Sequence, residues 1–215
     1  VLRALQERLP CEDFVYLGDT ARAPYGGRGA QTVLNYAHAC ARVLREQRIK
    51  LLVIGSHTVS AVALEPLAGE LFMPVVGSIA PGLAALVAAG KQHIGVLASA
   101  RTVQSGGYAR ALAKLNRPEV RVTVLPSPLL SALLDEGMLQ GELPRLALRQ
   151  YLQPLLEQQV DSLLLGASGY PLLLPLVHAE LAALGYAHVT VLDSAQPLAE
   201  EVTAMISARQ LATTR

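Results

Sequence analysis

The sequence predicts an α/β protein in which parallel sheets are covered by helices, built as two pseudo-symmetric halves with a cleft between them. Three observations predict it. Short β-branched or Leu-rich runs alternate with longer stretches of helical period along the whole chain. No Pro/Gly/Ser-rich linker or low-complexity tract separates them, so any two domains are joined through tight crossings. One βα segment also recurs at a fixed offset.

Taken in order, the β-prone run at 13–18 closes on Gly18 and predicts the first strand, and a helix follows over 30–48. The apolar run 51–55 ends on Gly55 and reads as a strand buried on both faces, followed by a helix over 59–71. A strand at 74–79 and a helix at 81–89 come next, then a strand at 93–98 and a helix at 102–116. The second half has strands at 120–125, 162–166 and 188–192, with helices at 142–158, 172–184 and 195–209. Two places offer a crossing between domains: the stretch from Gly77 to Pro81 with the Gly90 break behind it, and Asp193-Ser194. These place a first domain at 1–80 plus 193–215 and a second at 81–192.

The repeat aligns residues 46–55 (EQRIKLLVIG) with 157–166 (EQQVDSLLLG) at a constant shift of 111, with four of ten positions identical. Each copy is a helix end, a strand and a Gly, followed by a small polar loop. The loop is Ser56-His57-Thr58 in the first copy and Ala167-Ser168-Gly169 in the second. Ligands of open α/β sheets bind outside the carboxyl ends of strands, so two facing copies place both loops on one cleft.

Composition narrows the partners. Eighteen basic and 17 acidic residues leave a formal charge of +1, which favours a small molecule and gives no footprint for nucleic acid. Every apolar stretch is shorter than the roughly 18 residues of a membrane helix, and no charged-then-apolar leader pattern opens the chain, so no membrane partner is expected. Cys11 and Cys40 have neither metal nor redox spacing, which fits a reducing cytoplasm. The five histidines are dispersed, so no metal is expected. Gly18-Asp19-Thr20 begins no dinucleotide or phosphate-loop pattern. Ser105-Gly106-Gly107-Tyr108 reads as a backbone bend, Asp135-Glu136 as solvated surface, and Asp193-Ser194 as the cap of the last helix.

The segment GDTARAPYGGR, residues 18–28, resembles the motif of the glutamate racemase family around its Pro-Tyr-Gly. The likeness extends through SHTVSAVALEPL (56–67), TVQSGGYARAL (102–112), GYPLLLPLV (169–177) and LDSA (192–195), and so covers nearly the whole chain. It implies the two-domain α/β fold of aspartate/glutamate racemases, no cofactor, a glutamate-like amino acid as ligand and a homodimer. It implies substrate contacts at Tyr25, Gly26, His57, Thr58, Ser168 and Gly169. A strand ending in Asp-Ser-Gly is expected ahead of Val1, whose Leu2-Arg3 continuation matches the helix after that strand, and a further strand and helix are expected beyond Arg215.

The departures carry chemistry. The family resemblance implies a catalytic cysteine in each loop, in Cys-Asn-Thr and Cys-Thr-His sequences, yet those positions here are Ser56 and Ala167. Cofactor-free racemisation removes a weakly acidic α-proton from one face and returns a proton to the other, so two opposed acid/base groups are needed. A thiol with a pKa near ~8.5 can supply a useful thiolate. A serine needs a neighbouring base, for which His57 is the candidate, and the methyl of Ala167 exchanges no proton. The expectation is a racemase-family protein that binds a glutamate-like amino acid and is defective in two-base racemisation. The alternatives are an active racemase supplying D-glutamate for peptidoglycan, using Ser56, His57 and Ser168, or one-sided decarboxylase or isomerase chemistry.

Overall fold

The two apolar runs that end on Gly55 and Gly166 become strands of two separate parallel sheets. A computed structural model describes residues 1–213; Thr214 and Arg215, the end of the expected first domain, lie outside the described residues. The larger sheet has the order β4-β3-β5-β6, formed by Arg121–Pro126, His93–Ala98, Ser162–Gly166 and Thr190–Asp193, all parallel. Every residue of the central strands β3 and β5 is buried. Their side chains alternate between faces: Leu97, Leu163 and Leu165 enter one apolar cluster, and Ile94, Val96, Ala98 and Leu164 the other. Burial on both faces is why these strands read as unbroken hydrophobic runs.

Helices α7 (Pro128–Asp135), α8 (Glu142–Glu157) and α9 (Leu174–Ala183) cover the first face with Leu130, Leu148, Leu152, Leu155, Val177 and Leu181. The other face is covered by α4 (Ile79–Ala88) and α6 (Gly107–Leu115), through Leu83, Leu86, Tyr108 and Ala111. The smaller sheet pairs β1 (Leu52–Ile54) with β2 (Val75–Gly77), in parallel. Helices α2 (Ala30–Glu46) and α3 (His57–Glu70) lie on one side of it. On the other are α1 (Leu2–Arg8) and α10 (Ala195–Ala208), joined by Leu5, Val76, Leu198 and Val202.

The repeat is a local structural fact. Both helices that precede the repeated strands end alike: Arg48 and Gln159, 111 apart, each adopt the left-handed conformation, at φ 55° and 58°. Their amides bond back to Arg45 O at 3.0 Å and Leu156 O at 2.9 Å, a left-handed helix ending achieved without glycine. The copies diverge after the strands. Ser56 caps α3 by accepting the Val59 N–H at 3.3 Å, so the first helix starts at once. Ala167 has no side-chain oxygen to do the same. A 3-10 turn at Tyr170–Leu173 intervenes before α9, with Tyr170 N bonded to Ala167 O at 3.1 Å.

Three expectations need correction. Residues 13–18 form no strand; Val15, Tyr16 and Leu17 are exposed and, among the described residues, meet no sheet edge, and a strand exists only through its ladder. The helix expected at 102–116 is broken into α5 (Ala100–Gln104) and α6, because Gly106 takes φ 67° between them, so the Ser105-Gly106 bend is real. Helix α7, opening on Pro128 and burying Leu130 and Leu133, was not among the expected helices, although Pro at a first helical position is a start signal.

Candidate functional site

Ser56 stands two residues past the end of β1 and Ala167 one residue past the end of β5, and the end of a third strand, β3, lies beside them. Ser99 caps α5 one residue past Ala98, and Ala98 is the register partner of Gly166. Its hydroxyl lies 2.9 Å from Thr58 Oγ1 and 2.9 Å from Thr102 Oγ1, while Thr58 Oγ1 stands 3.2 Å from Thr102 Oγ1. The three buried hydroxyls thus join the start of α3, beside Ser56, to the strand ends beside Ala167. The Ser56 loop is thereby tied to the end of β3, the strand beside the one that Ala167 follows.

Packing on this region is close. A Cβ on Gly166 would lie 2.7 Å from Tyr108 Oη and 2.8 Å from Leu97 O, so only glycine fits beneath Ala167. Gly26 approaches from the other side, where an added Cβ would fall 2.7 Å from the Ser99 Cβ, and its carbonyl accepts the Arg101 N–H at 2.9 Å. Tyr25 donates its phenolic hydrogen to Asp19, and burial together with that bond pushes its pKa up. Its proton is therefore held, and it does not serve as a base near neutral pH.

His57 does not turn toward Ser56. The ring is buried, its Nε2 stands 3.0 Å from Ser194 Oγ, and its Nδ1 has no hydrogen-bond partner among the described residues. Burial lowers its pKa to about 4, so it is neutral at physiological pH. Ser194 accordingly does not cap α10 with its side chain; Asp193 Oδ1 accepts the Ala195 N–H at 2.7 Å instead. Gly82 makes room for this contact, since a Cβ there would lie 2.5 Å from Ser194 Oγ.

Ser56 and Ala167 are half-buried, Ser168 is exposed, and Gly169 has an ordinary backbone at φ −87°, where an added Cβ would meet only Leu134 Cδ1 at 3.7 Å. Thr58 and Gly26 thus meet the Ser99 junction, whereas His57 turns to Ser194, Tyr25 to Asp19, and Ser168 is exposed. Sequence reasoning assigned no role to Ser99, although a Ser at a strand's carboxyl end with Thr three residues on, Ser99-Ala100-Arg101-Thr102, is a legible capping signal. Among the described residues no cluster of three His, Cys, Asp or Glu side chains is arranged to hold a metal ion, and no helix is long and apolar enough to cross a membrane.

With that geometry in place, similarity to known proteins is decisive. The family model described as Asp/Glu/Hydantoin racemase matches residues 1–202. The chain belongs to this racemase family. A glutamate racemase of Neisseria meningitidis is 39% identical over 215 residues, covering 99% of this chain and 77% of that protein. Glutamate racemase isoform RacE1 from Bacillus anthracis superposes with a TM-score of 0.90 at 29% identity, over 100% of this chain and 79% of that one. The glutamate racemase of Francisella tularensis in complex with D-glutamate gives 0.90 at 26% identity, over 100% and 78%. The racemase family's two-domain α/β fold is therefore the fold of this chain, as its sequence implies.

Proposed function

We propose that this racemase-family chain binds a glutamate-like amino acid between the Ser56 and Ala167 loops and is defective in two-base racemisation. The observation that carries the reading is the Ala167 methyl at the carboxyl end of β5, where the opposing half-site presents Ser56. Removing and replacing an α-proton on opposite faces takes two proton-exchanging groups. Ser56 lacks an activating neighbour: neither ring nitrogen of His57 is bonded to it, and its oxygen already accepts the Val59 amide. Ligand binding keeps its support. The start of the 14-residue α3 offers free N–H groups to a carboxylate, and Thr58, Tyr25 and Gly26 border the same region. D-glutamate in the complex of the Francisella relative is the ligand chemistry this reading carries over.

The remaining elements of the reading are no cofactor and a homodimer, from the family resemblance, a cytoplasmic setting, from the cysteine usage, and domains at 1–80 plus 193–215 and at 81–192, from the candidate crossings. The separation of the two sheets, with α10 packed on α1, supports the domain division. Incubation with L- and D-glutamate in deuterated water, followed by optical rotation and α-proton NMR, tests the reading. Binding without α-exchange is expected. In the Ser56→Cys/Ala167→Cys double variant, with a strand ending in Asp-Ser-Gly supplied ahead of Val1, exchange from both enantiomers is expected to appear. Full racemisation by the unaltered chain overturns the reading, and exchange from one enantiomer alone replaces it with one-sided chemistry.

A further inference from the structure

The loop that carries Tyr25 and Gly26 is held by a polar hub outside the hydrophobic core. None of residues 19–28 belongs to any of the four apolar clusters. Asp19 instead collects donors from three directions. It accepts the Tyr25 phenol, pairs with Arg22 at 2.6 Å, and has the Cys40 thiol 3.9 Å away. The Arg22 guanidinium lies 4.6 Å from the ring centre of Tyr36, and the Tyr25 and Tyr36 rings pack with centroids 5.5 Å apart. Tyr36 and Cys40 are four residues apart on α2, so both present the same helix face to the hub. The side chain of Asp19 is only 14% exposed, which strengthens its charge-assisted bonds.

From this hub the chain runs directly to Gly26, whose carbonyl receives the Arg101 amide and whose α-carbon abuts Ser99. Arg101 also donates from Nε to Arg28 O at 2.6 Å, closing the far side of the loop. We propose that Asp19 is a positioning residue for the cleft: through Tyr25 it holds the Gly26 peptide against Ser99, and so sets the wall that a bound amino acid meets. This rests on the binding reading above and extends it, since Asp19 itself does not reach Ser99, Thr58 or Ser56 by any hydrogen bond in the structure.

The full chain and its Asp19→Asn and Tyr25→Phe variants test the proposal by two readouts. In ligand-free protein, NMR exchange of the Arg101 amide reports the Gly26 contact, and roughly tenfold faster exchange at that amide is expected in both variants, as for loss of a bond to a charged group. Calorimetric titration with L- and D-glutamate is expected to show affinity roughly five- to tenfold weaker, with Tm changed by no more than about 2 °C because the core is untouched. Unchanged Arg101 exchange in both variants overturns the proposal. Faster exchange spread over the whole chain together with a lowered Tm also overturns it, since it marks a purely structural role. Should Asp19→Asn fail to fold, Tyr25→Phe, which keeps the ring and the Asp19–Arg22 pair, decides. Should the unaltered chain bind no glutamate, the binding reading fails and Arg101 exchange alone decides the role of Asp19.

Discussion

Lowering the pH from about 7 to about 5, above the range in which the paired carboxylates titrate, should weaken the fold through the imidazole of His57. The ring is buried and its pKa is lowered to about 4, whereas in the unfolded chain it returns to 6.5. Between those values the unfolded state binds more protons than the folded one, so stability falls as pH drops below about 6.5 and stops falling from this cause below about 4. The complete effect is worth about 3 kcal/mol, and the part developed between about pH 7 and pH 5 is about 2 kcal/mol. Urea unfolding of the unaltered chain and a His57→Gln variant at both pH values isolates it. The Gln amide reaches toward Ser194 as Nε2 does but does not titrate. Other groups titrate equally in the two proteins, so the difference between their pH dependences is assigned to His57. A difference under about 0.5 kcal/mol would refute the reasoning, because a ring whose Nδ1 is buried and unpartnered cannot be charged without cost.

Three further substitutions check the local geometry by chemical denaturation. Gly166→Ala should destabilise by about 2–3 kcal/mol, because its Cβ would meet the Leu97 carbonyl oxygen at 2.8 Å as well as Tyr108 Oη; a loss below about 0.5 kcal/mol would mean that the end of β5 yields freely. Arg48→Gly and Gln159→Gly should each stabilise by about 1 kcal/mol by relieving a left-handed residue, and the two gains should add, since the sites lie in separate helices.

How far the sequence foretold this structure depended on whether a feature needed only local chemistry. Strands β3 and β5 were legible to the residue because burial on both faces leaves an uninterrupted apolar run with Gly or polar residues at its ends. Residues 13–18 have the composition of a strand but not the partner that makes one. The αL endings at Arg48 and Gln159 were not legible as such, since neither residue type favours that conformation; the repeat at a shift of 111 nevertheless marked both places. The candidate site divides the same way. Ser56, Ala167, Tyr25 and Gly26 could be named from motifs, and their common neighbourhood follows from strand ends. The direction of His57 depends on Ser194, 137 residues away, and the hydroxyl junction depends on Ser99 and Thr58, 41 apart. Such contacts are decided by packing between elements, about which sequence spacing is silent.

The substitutions at the two half-sites change different things, and that asymmetry bears on mechanism. At position 56 the serine oxygen keeps a hydrogen-bonding function: it accepts the Val59 N–H and caps α3, which a thiol does more weakly. That bond draws electron density from the oxygen in question and lowers its basicity, while its own hydrogen stays available to donate. Ser56 is therefore suited to hold an acceptor group of a ligand and poorly suited to remove an α-proton. At position 167 the methyl neither donates nor accepts, and the chain beyond it starts with a 3-10 turn instead of a capped α-helix. On the proposed reading, an amino acid seated between them meets a hydrogen-bond donor on one side and an inert methyl on the other. Such an arrangement would orient a bound amino acid without offering its α-carbon an exchange of protons at Ala167.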